Sequence, residues 1–206
     1  MKSQIKKIQI LIATIVDGFN GIRMFFFSSR KDRFGYLAPT STIRTPIFGS
    51  KQNVYIYENC GINADVKFIC QTGKFIMLKN CSVGPSFTVI TCNHKYNLVG
   101  QIPESEQWGE LEPHDVVVNE DVWIGANVTL CPGTIIGRGS IIAAGSVCVK
   151  NQIYPPYSII GGNPAKFIKF RLTLENQIKQ EQMLYDEFER INIEILSKNY
   201  SKITKV

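Results

Sequence analysis

Histidine is nearly missing from this 206-residue chain. Only His94 and His114 occur, so a three-histidine metal site cannot be assembled within one subunit. The six cysteines, at 60, 70, 81, 92, 131 and 148, contain no CxxC pair. They read as small buried hydrophobes in a reducing, cytoplasmic setting, and no metal is expected. Long apolar runs are also lacking. Between residues 3 and 27 no uninterrupted one is longer than Ile10–Ala13, which Met24–Phe27 equals, and Asp17, Asn20 and Arg23 fall where a bilayer core would lie, which argues against a spanning helix. Lys2, Lys6 and Lys7 before this stretch imitate a signal peptide, but Asp17 follows directly and no small-residue cleavage site does. Acidic residues are scarce only at the start: residues 1–36 hold seven Lys/Arg against two Asp, residues 37–206 sixteen against fifteen Asp/Glu. Basicity confined to one arm, with no accompanying motif, speaks against nucleic acid as a partner.

What the chain does have is a period of six. From Val122 to Lys166, hexads open at Ile124, Leu130, Ile136 and Ile142, a small residue usually follows, and Val128, Thr134, Ser140 and Ser146 take the fifth place. Neither a 3.6-residue helix nor a two-residue strand alternation produces this pattern; a parallel β-helix does, with three hexads to a coil and the aliphatic residues of successive coils stacked as the core. Earlier hexads open at Ile56 and Ile62; after Phe68 the register slips by three residues and resumes at Met77, Val83 and Val89. The period by itself leaves open a solenoid scaffold with no chemistry.

These hexads, with the ending GGNPAK at 161–166, resemble the hexapeptide-repeat acyltransferases, in particular the branch with the maltose, galactoside and surface-polysaccharide O-acetyltransferases. The resemblance spans roughly residues 54–169. It implies an all-β solenoid, a left-handed parallel β-helix, which the general right-handed rule for parallel crossovers would not give. It also implies acetyl-CoA as donor and a homotrimer with active sites between subunits. The two histidines argue against the carbonic anhydrases built on a similar coil.

Within the resemblance, His94 matches the catalytic histidine, with Lys95 where the family usually has Pro. A sugar hydroxyl is a poor nucleophile near neutral pH, and an imidazole can take its proton as it attacks a thioester. A surface histidine is the alternative. Asn63 matches an acceptor-binding asparagine, suited by an amide that both donates and accepts; turn formation is an equal reading. The aperiodic stretch 95–115 is too long for a hexad turn and is expected to overhang the cleft. There Trp108 offers a flat surface to a sugar ring, and Glu104, Glu106, Glu110 and Glu112 are candidates to orient His94; His114 reads as structural. On the donor side, Gly125, Ala126, Ala143 and Ala144 would let a pantetheine arm lie against the coil, or simply turn tightly. Lys150, Lys166 and Lys169 stand where the family places basic residues near the CoA phosphates.

The expected organisation is an N-terminal helical arm at 1–36, a β-helix at 37–170 and a C-terminal α-helix at 171–206. The arm carries Ile5, Ile8, Ile12, Ile15 and Phe19 at helical spacing and reads as packed on the coil, or as a peripheral contact with anionic membrane. In the last segment Leu174, Ile178, Leu184, Phe188, Ile191 and Ile195 form the apolar stripe of a helix expected to cap the open coil. Together these readings point to an acetyltransferase acting on a sugar hydroxyl in polysaccharide or glycoconjugate assembly. An N-acetyltransferase acting on an amino sugar nucleotide or a xenobiotic amine is the rival reading.

Overall fold

The computed structural model describes residues 14, 15, 18, 33–95, 99, 100 and 111–203. The fold is a left-handed β-solenoid. Its first coil is β1 (Tyr36–Leu37), β2 (Thr42–Ile43) and β3 (Ile47–Gly49), and its second β4 (Val54–Ile56), β5 (Gly61–Ile62) and β6 (Val66–Ile69). The third is β7 (Phe75–Met77), β8 (Ser82–Val83) and β9 (Thr88–Ile90), after which a hairpin of β10 (Cys92–His94) and β11 (Leu111–Pro113) leaves the coil. The fourth is β12 (Val116–Val118), β13 (Trp123–Ile124) and β14 (Thr129–Leu130), the fifth β15 (Ile135–Ile136), β16 (Ile141–Ile142) and β17 (Val147–Cys148). β18 (Ile153–Tyr154) and β19 (Ser158–Gly162) begin a sixth, which β20 (Ala165–Phe170) closes.

Strands one coil apart pair in parallel and build three faces: A from β1, β4, β7, β12, β15 and β18, B from β2, β5, β8, β13, β16, β19 and β20, and C from β3, β6, β9, β14 and β17. The register is the hexad register, with Ile124 on Ile142 and Leu130 on Cys148. Two side chains per hexad turn inward. The opening aliphatic residue fills the face, and the residue four places on fills the corner, so Ile136 and Ser140, Ile142 and Ser146, and Ile124 and Val128 are all buried. Burying one such aliphatic side chain contributes about 1.5–3 kcal/mol, and the stack repeats it coil after coil.

Each corner needs a backbone reversal in a few residues. Asn59, Asn80, Asp65, Asn127 and Asn151 supply it with positive φ, as do Gly133, Gly139 and Gly145. Asn and Asp tolerate this left-handed conformation better than other side chains. A tyrosine does so at a cost, and Tyr157, φ 61°, is fully buried against Gly139, where a Cβ would come within 2.5 Å of its ring.

The structure changes three expectations. A coil precedes the hexad at Ile56, masked in sequence by Pro39, Pro46 and Gly49. The open end is closed by β20, which pairs antiparallel with β19 and whose Ala165 carbonyl accepts a 2.9 Å hydrogen bond from Tyr154. The C-terminal segment is not one helix. It comprises α1 (Leu174–Leu184), a 3₁₀ turn (Glu187–Glu189) and α2 (Ile193–Ile203), lying along the corner between faces A and B. Thr173 caps α1 through the Asn176 amide, and Asn192 accepts from the Glu194 amide at 2.7 Å to start α2. The stripe consequently fails: Leu184, Phe188 and Ile195 are exposed, while Gln177, Glu181, Tyr185 and Leu196 are buried.

Polar groups hold that segment in place. The Arg138 guanidinium donates to Glu120 at 3.1 Å, to Glu181 at 2.8 Å and to the Glu189 carbonyl at 2.9 Å, and lies 3.9 Å from the Tyr185 ring centroid. Glu181 also accepts from the Tyr157 hydroxyl at 2.5 Å and from the Ile191 amide at 2.8 Å. The carboxylate is thereby paired and fully hydrogen-bonded, as a buried charge must be.

Candidate active site

Insertions gather at one corner. Between faces C and A the regular coils turn within a hexad, but 71–73 are extra in the second coil and the whole β10–β11 hairpin is inserted in the third. The two are stacked: the Gly73 position sits against the Thr91 carbonyl, which accepts from the His114 amide at 2.8 Å, and the Lys74 amide donates to Asp115 at 2.7 Å. His114 therefore holds the root of the hairpin through its backbone.

The hairpin carries His94 away from the coil. Cys92 faces Pro113, Asn93 faces Glu112 and His94 faces Leu111, so strand alternation puts His94 on the opposite face of the ribbon from Glu112. His94 is exposed. Glu112 pairs instead with Lys150 at 3.1 Å, tying the hairpin to the fifth coil. Of the four candidate glutamates, Glu112 is thus committed to Lys150, while Glu104, Glu106 and Glu110, like Trp108, lie outside the described residues.

The small residues expected on the donor side gather at a different corner, between faces B and C. Gly125–Ala126 stack directly under Ala143–Ala144: a Cβ at Gly125 would lie 2.6 Å from the Ala144 nitrogen, and one at Gly84 2.7 Å from the Ala126 nitrogen. Gly125 and Gly84 are thus required by the stacking of turns. Ala143 and Ala144 are not so constrained and are exposed, leaving a narrow shelf of backbone and methyl groups. Asn63 is in the same column two coils earlier, its Oδ1 accepting from the Ala64 amide at 2.9 Å, which is turn chemistry. Lys166 and Lys169 are exposed on β20, beside the last of these turns, whereas Lys150 sits at the hairpin corner with Glu112.

Sequence reasoning passed over Trp123. Its side chain points outward from face B, 57% exposed, two residues before Gly125 and flanked across the ladder by Ser82 and Ile141. The outward place in the hexad, one before the buried opener, was the available signal.

The cysteines are free, and all but Cys131 are buried. Burial pushes the Cys70 thiol up to about 12 and the Cys148 thiol to about 11, so neither is a thiolate nucleophile near neutral pH. Among the described residues no cluster of three or more His, Cys, Asp or Glu could hold a metal ion, and no helix is long and apolar enough to cross a membrane.

Residues 115–150 match the family model described as bacterial transferase hexapeptide (six repeats). Over that stretch the chain carries the hexapeptide repeat that this model describes. Among curated relatives, a protein of Lysinibacillus sphaericus named "Probable macrolide acetyltransferase" is 40% identical over 115 residues, covering 50% of this chain and 63% of the relative. Among solved structures, a hexapeptide-repeat acetyltransferase of Vibrio cholerae O1 biovar eltor, complexed with acetyl coenzyme A, superposes with a TM-score of 0.62 at 28% identity, covering 69% of this chain and 74% of that one. A maltose O-acetyltransferase of Clostridium difficile 630 gives 0.58 at 28% identity, covering 68% and 71%. The chain spans less than two thirds of the length of that curated relative.

Proposed function

We propose that the protein transfers acetyl from acetyl-CoA to a hydroxyl of a sugar or sugar-bearing acceptor, with His94 as general base. The observation that carries this reading is the hairpin at the C–A corner: the coil interrupts its period there and sets an exposed imidazole beyond the packed stack. In this reading the Nε2 or Nδ1 lone pair of His94 takes the acceptor proton while the acceptor oxygen attacks the thioester carbonyl. The resulting tetrahedral intermediate collapses with loss of the CoA thiolate, which regains the proton from the imidazolium. In this reading a backbone amide of the small-residue turns donates to the oxyanion; those of Gly125, Ala143 and Gly145 are already engaged within the coil, which leaves Ala126 and Ala144 for the task. On the same reading the pantetheine chain lies along the exposed Ala143 and Ala144, with Lys166 and Lys169 toward the CoA phosphates. Trp123 offers a flat apolar surface beside that shelf.

A homotrimer completes the site. In one chain the hairpin and the shelf leave from different corners of the prism, with face C between them, so a cleft between copies would bring one copy's His94 to the next copy's shelf. The relative named for macrolides supports a second acceptor class, a polyhydroxylated xenobiotic. A sugar acceptor is supported instead by the likeness to the maltose O-acetyltransferase, and a polysaccharide or glycoconjugate setting is our extension of it.

Calorimetric titration with CoA, followed by a thiol-release assay across sugars, sugar nucleotides, a macrolide and amines, tests the reading. CoA binding with turnover on a hydroxyl acceptor is expected. Binding with turnover only on amines would transfer the assignment to N-acetylation, and no CoA binding would leave a scaffold.

A further inference from the structure

The hairpin that carries His94 is held at more than its root. At the root the His114 amide donates to the Thr91 carbonyl and the Lys74 amide to Asp115. Further out, Glu112 pairs with Lys150 at 3.1 Å. Glu112 stands opposite Asn93 in the ribbon, one residue, or ~3.3 Å along the strand, from the rung on which Leu111 faces His94. Lys150 follows β17 in the fifth coil, two coils past the one that the hairpin leaves, which is ~10 Å along the stack at the usual spacing of neighbouring strands. The ion pair thus passes the fourth-coil turn at 131–133 and ties the ribbon, close to His94, to a part of the stack that its root does not touch.

The Lys150 end is fixed. Cys148 before it is fully buried, and Asn151 after it turns the corner at φ 61° with its amide on the Pro132 carbonyl at 2.9 Å. The Gln152 amide closes the same turn on the Val149 carbonyl at 3.3 Å. At the other end, Glu112 and His94 lie on opposite faces of a two-stranded ribbon. Where Glu112 is drawn therefore decides where the imidazole is presented. With side chains 29% and 37% exposed, the pair is open to water and adds little to stability. Its effect on position is a separate matter, since moving a reacting group by about 1 Å can cost ~10²-fold in rate.

We infer that Lys150 is a positioning residue for His94, holding the hairpin through Glu112 so that the imidazole meets the acceptor, and that it is not a ligand of the CoA phosphates. The inference rests on the reading of His94 as general base.

The test measures kcat at saturating substrates, CoA affinity by calorimetry and melting temperature in single and paired variants. Lys150→Ala and Glu112→Gln should each lower kcat roughly tenfold or more, with CoA affinity and melting temperature close to those of the unsubstituted protein. Hydrogen exchange should rise in β10 and β11 and stay unchanged in β12 to β17. The double variant should be no slower than either single one, because both remove the same contact. Lys150→Arg should keep most of the rate, and the exchanged pair Lys150→Glu with Glu112→Lys should recover it. In a His94→Ala background, adding Lys150→Ala should leave the residual kcat unchanged, since its effect passes through the imidazole. Weakened CoA binding in Lys150→Ala with kcat kept would overturn the inference and return Lys150 to the donor. Additive losses in the double variant, no recovery in the exchanged pair, or a melting temperature that falls with the rate would overturn it as well. Failure of the underlying reading looks different: near-full activity in His94→Ala removes the base itself, whereas an inactive His94→Ala beside a fully active Lys150→Ala removes only the positioning role.

Discussion

Inside the coils Ile124 stacks on Ile142 and Ile136 on Val118 with no charged group among them, whereas at the corner where the C-terminal helices dock, the part-buried Arg138 is held among Glu120, Glu181 and Tyr185. The first region is stabilised by apolar area that scales with the number of coils. The second depends on a few charged groups whose burial is tolerated because each is matched. Loss of area is graded and shared along a stack; loss of one member of a buried ionic set strands the others. The two regions should therefore fail in different ways.

The largest effect is expected from Ile136→Asp. An unpaired carboxylate in the stack costs several kcal/mol, on the order of the whole stability of an ordinary domain. No cooperatively folded, soluble protein should be recovered, and a sharp thermal melt by circular dichroism would refute the coil register.

Next comes Arg138→Ala, which leaves the buried Glu181 and the part-buried Glu120 without their cation, at about 3 kcal/mol. The damage should stay local. Hydrogen exchange should rise through 174–203 while amides of β12 to β17 keep their protection; uniform loss of protection would show that flank and coil are one cooperative unit.

A smaller effect follows from alkali. Burial pushes the Tyr185 phenol up to about 12, so the fold holds its neutral form. That contribution is complete below the ordinary phenol value near 10 and is lost as pH rises from there toward about 12. Protection of α1 and α2 should decline over that window, and Tyr185→Phe should weaken the decline. The least effect, about 1 kcal/mol, is expected from Asn192→Ala, which removes the cap of α2; a denaturant titration followed at that helix measures it.

The same contrast decides what could be read from sequence. The hexads from Ile124 to Ile142 were legible because one residue in six is forced by a face and another by a corner. The coil before Ile56 was hidden because Pro39 and Pro46 are turn residues that also mark irregular chain. The flank was misread for a physical reason: an apolar stripe was sought, but α1 buries Gln177 and Glu181, and no periodicity announces a carboxylate whose partner, Arg138, lies 43 residues earlier. The breaks were announced locally by Asp186 and Asn192, both good cap residues. At the candidate site, His94 stands out in sequence because the period stops there, and Trp123 does not because the period continues through it. The pairing of Lys150 with Glu112 joins the inserted hairpin to a regular turn of the fifth coil, a neighbour that only the stacked coils supply.

In the proposed function the coil carries the fold and the hairpin at its C–A corner carries the chemistry. His94→Ala tests it most directly, measured as kcat, CoA affinity and melting temperature on one preparation. The kcat should fall roughly 10²–10⁴-fold, with CoA affinity and melting temperature nearly unchanged, because the shelf and the stack are untouched. Near-full activity in His94→Ala, or lost CoA binding with a lowered melt, would contradict it.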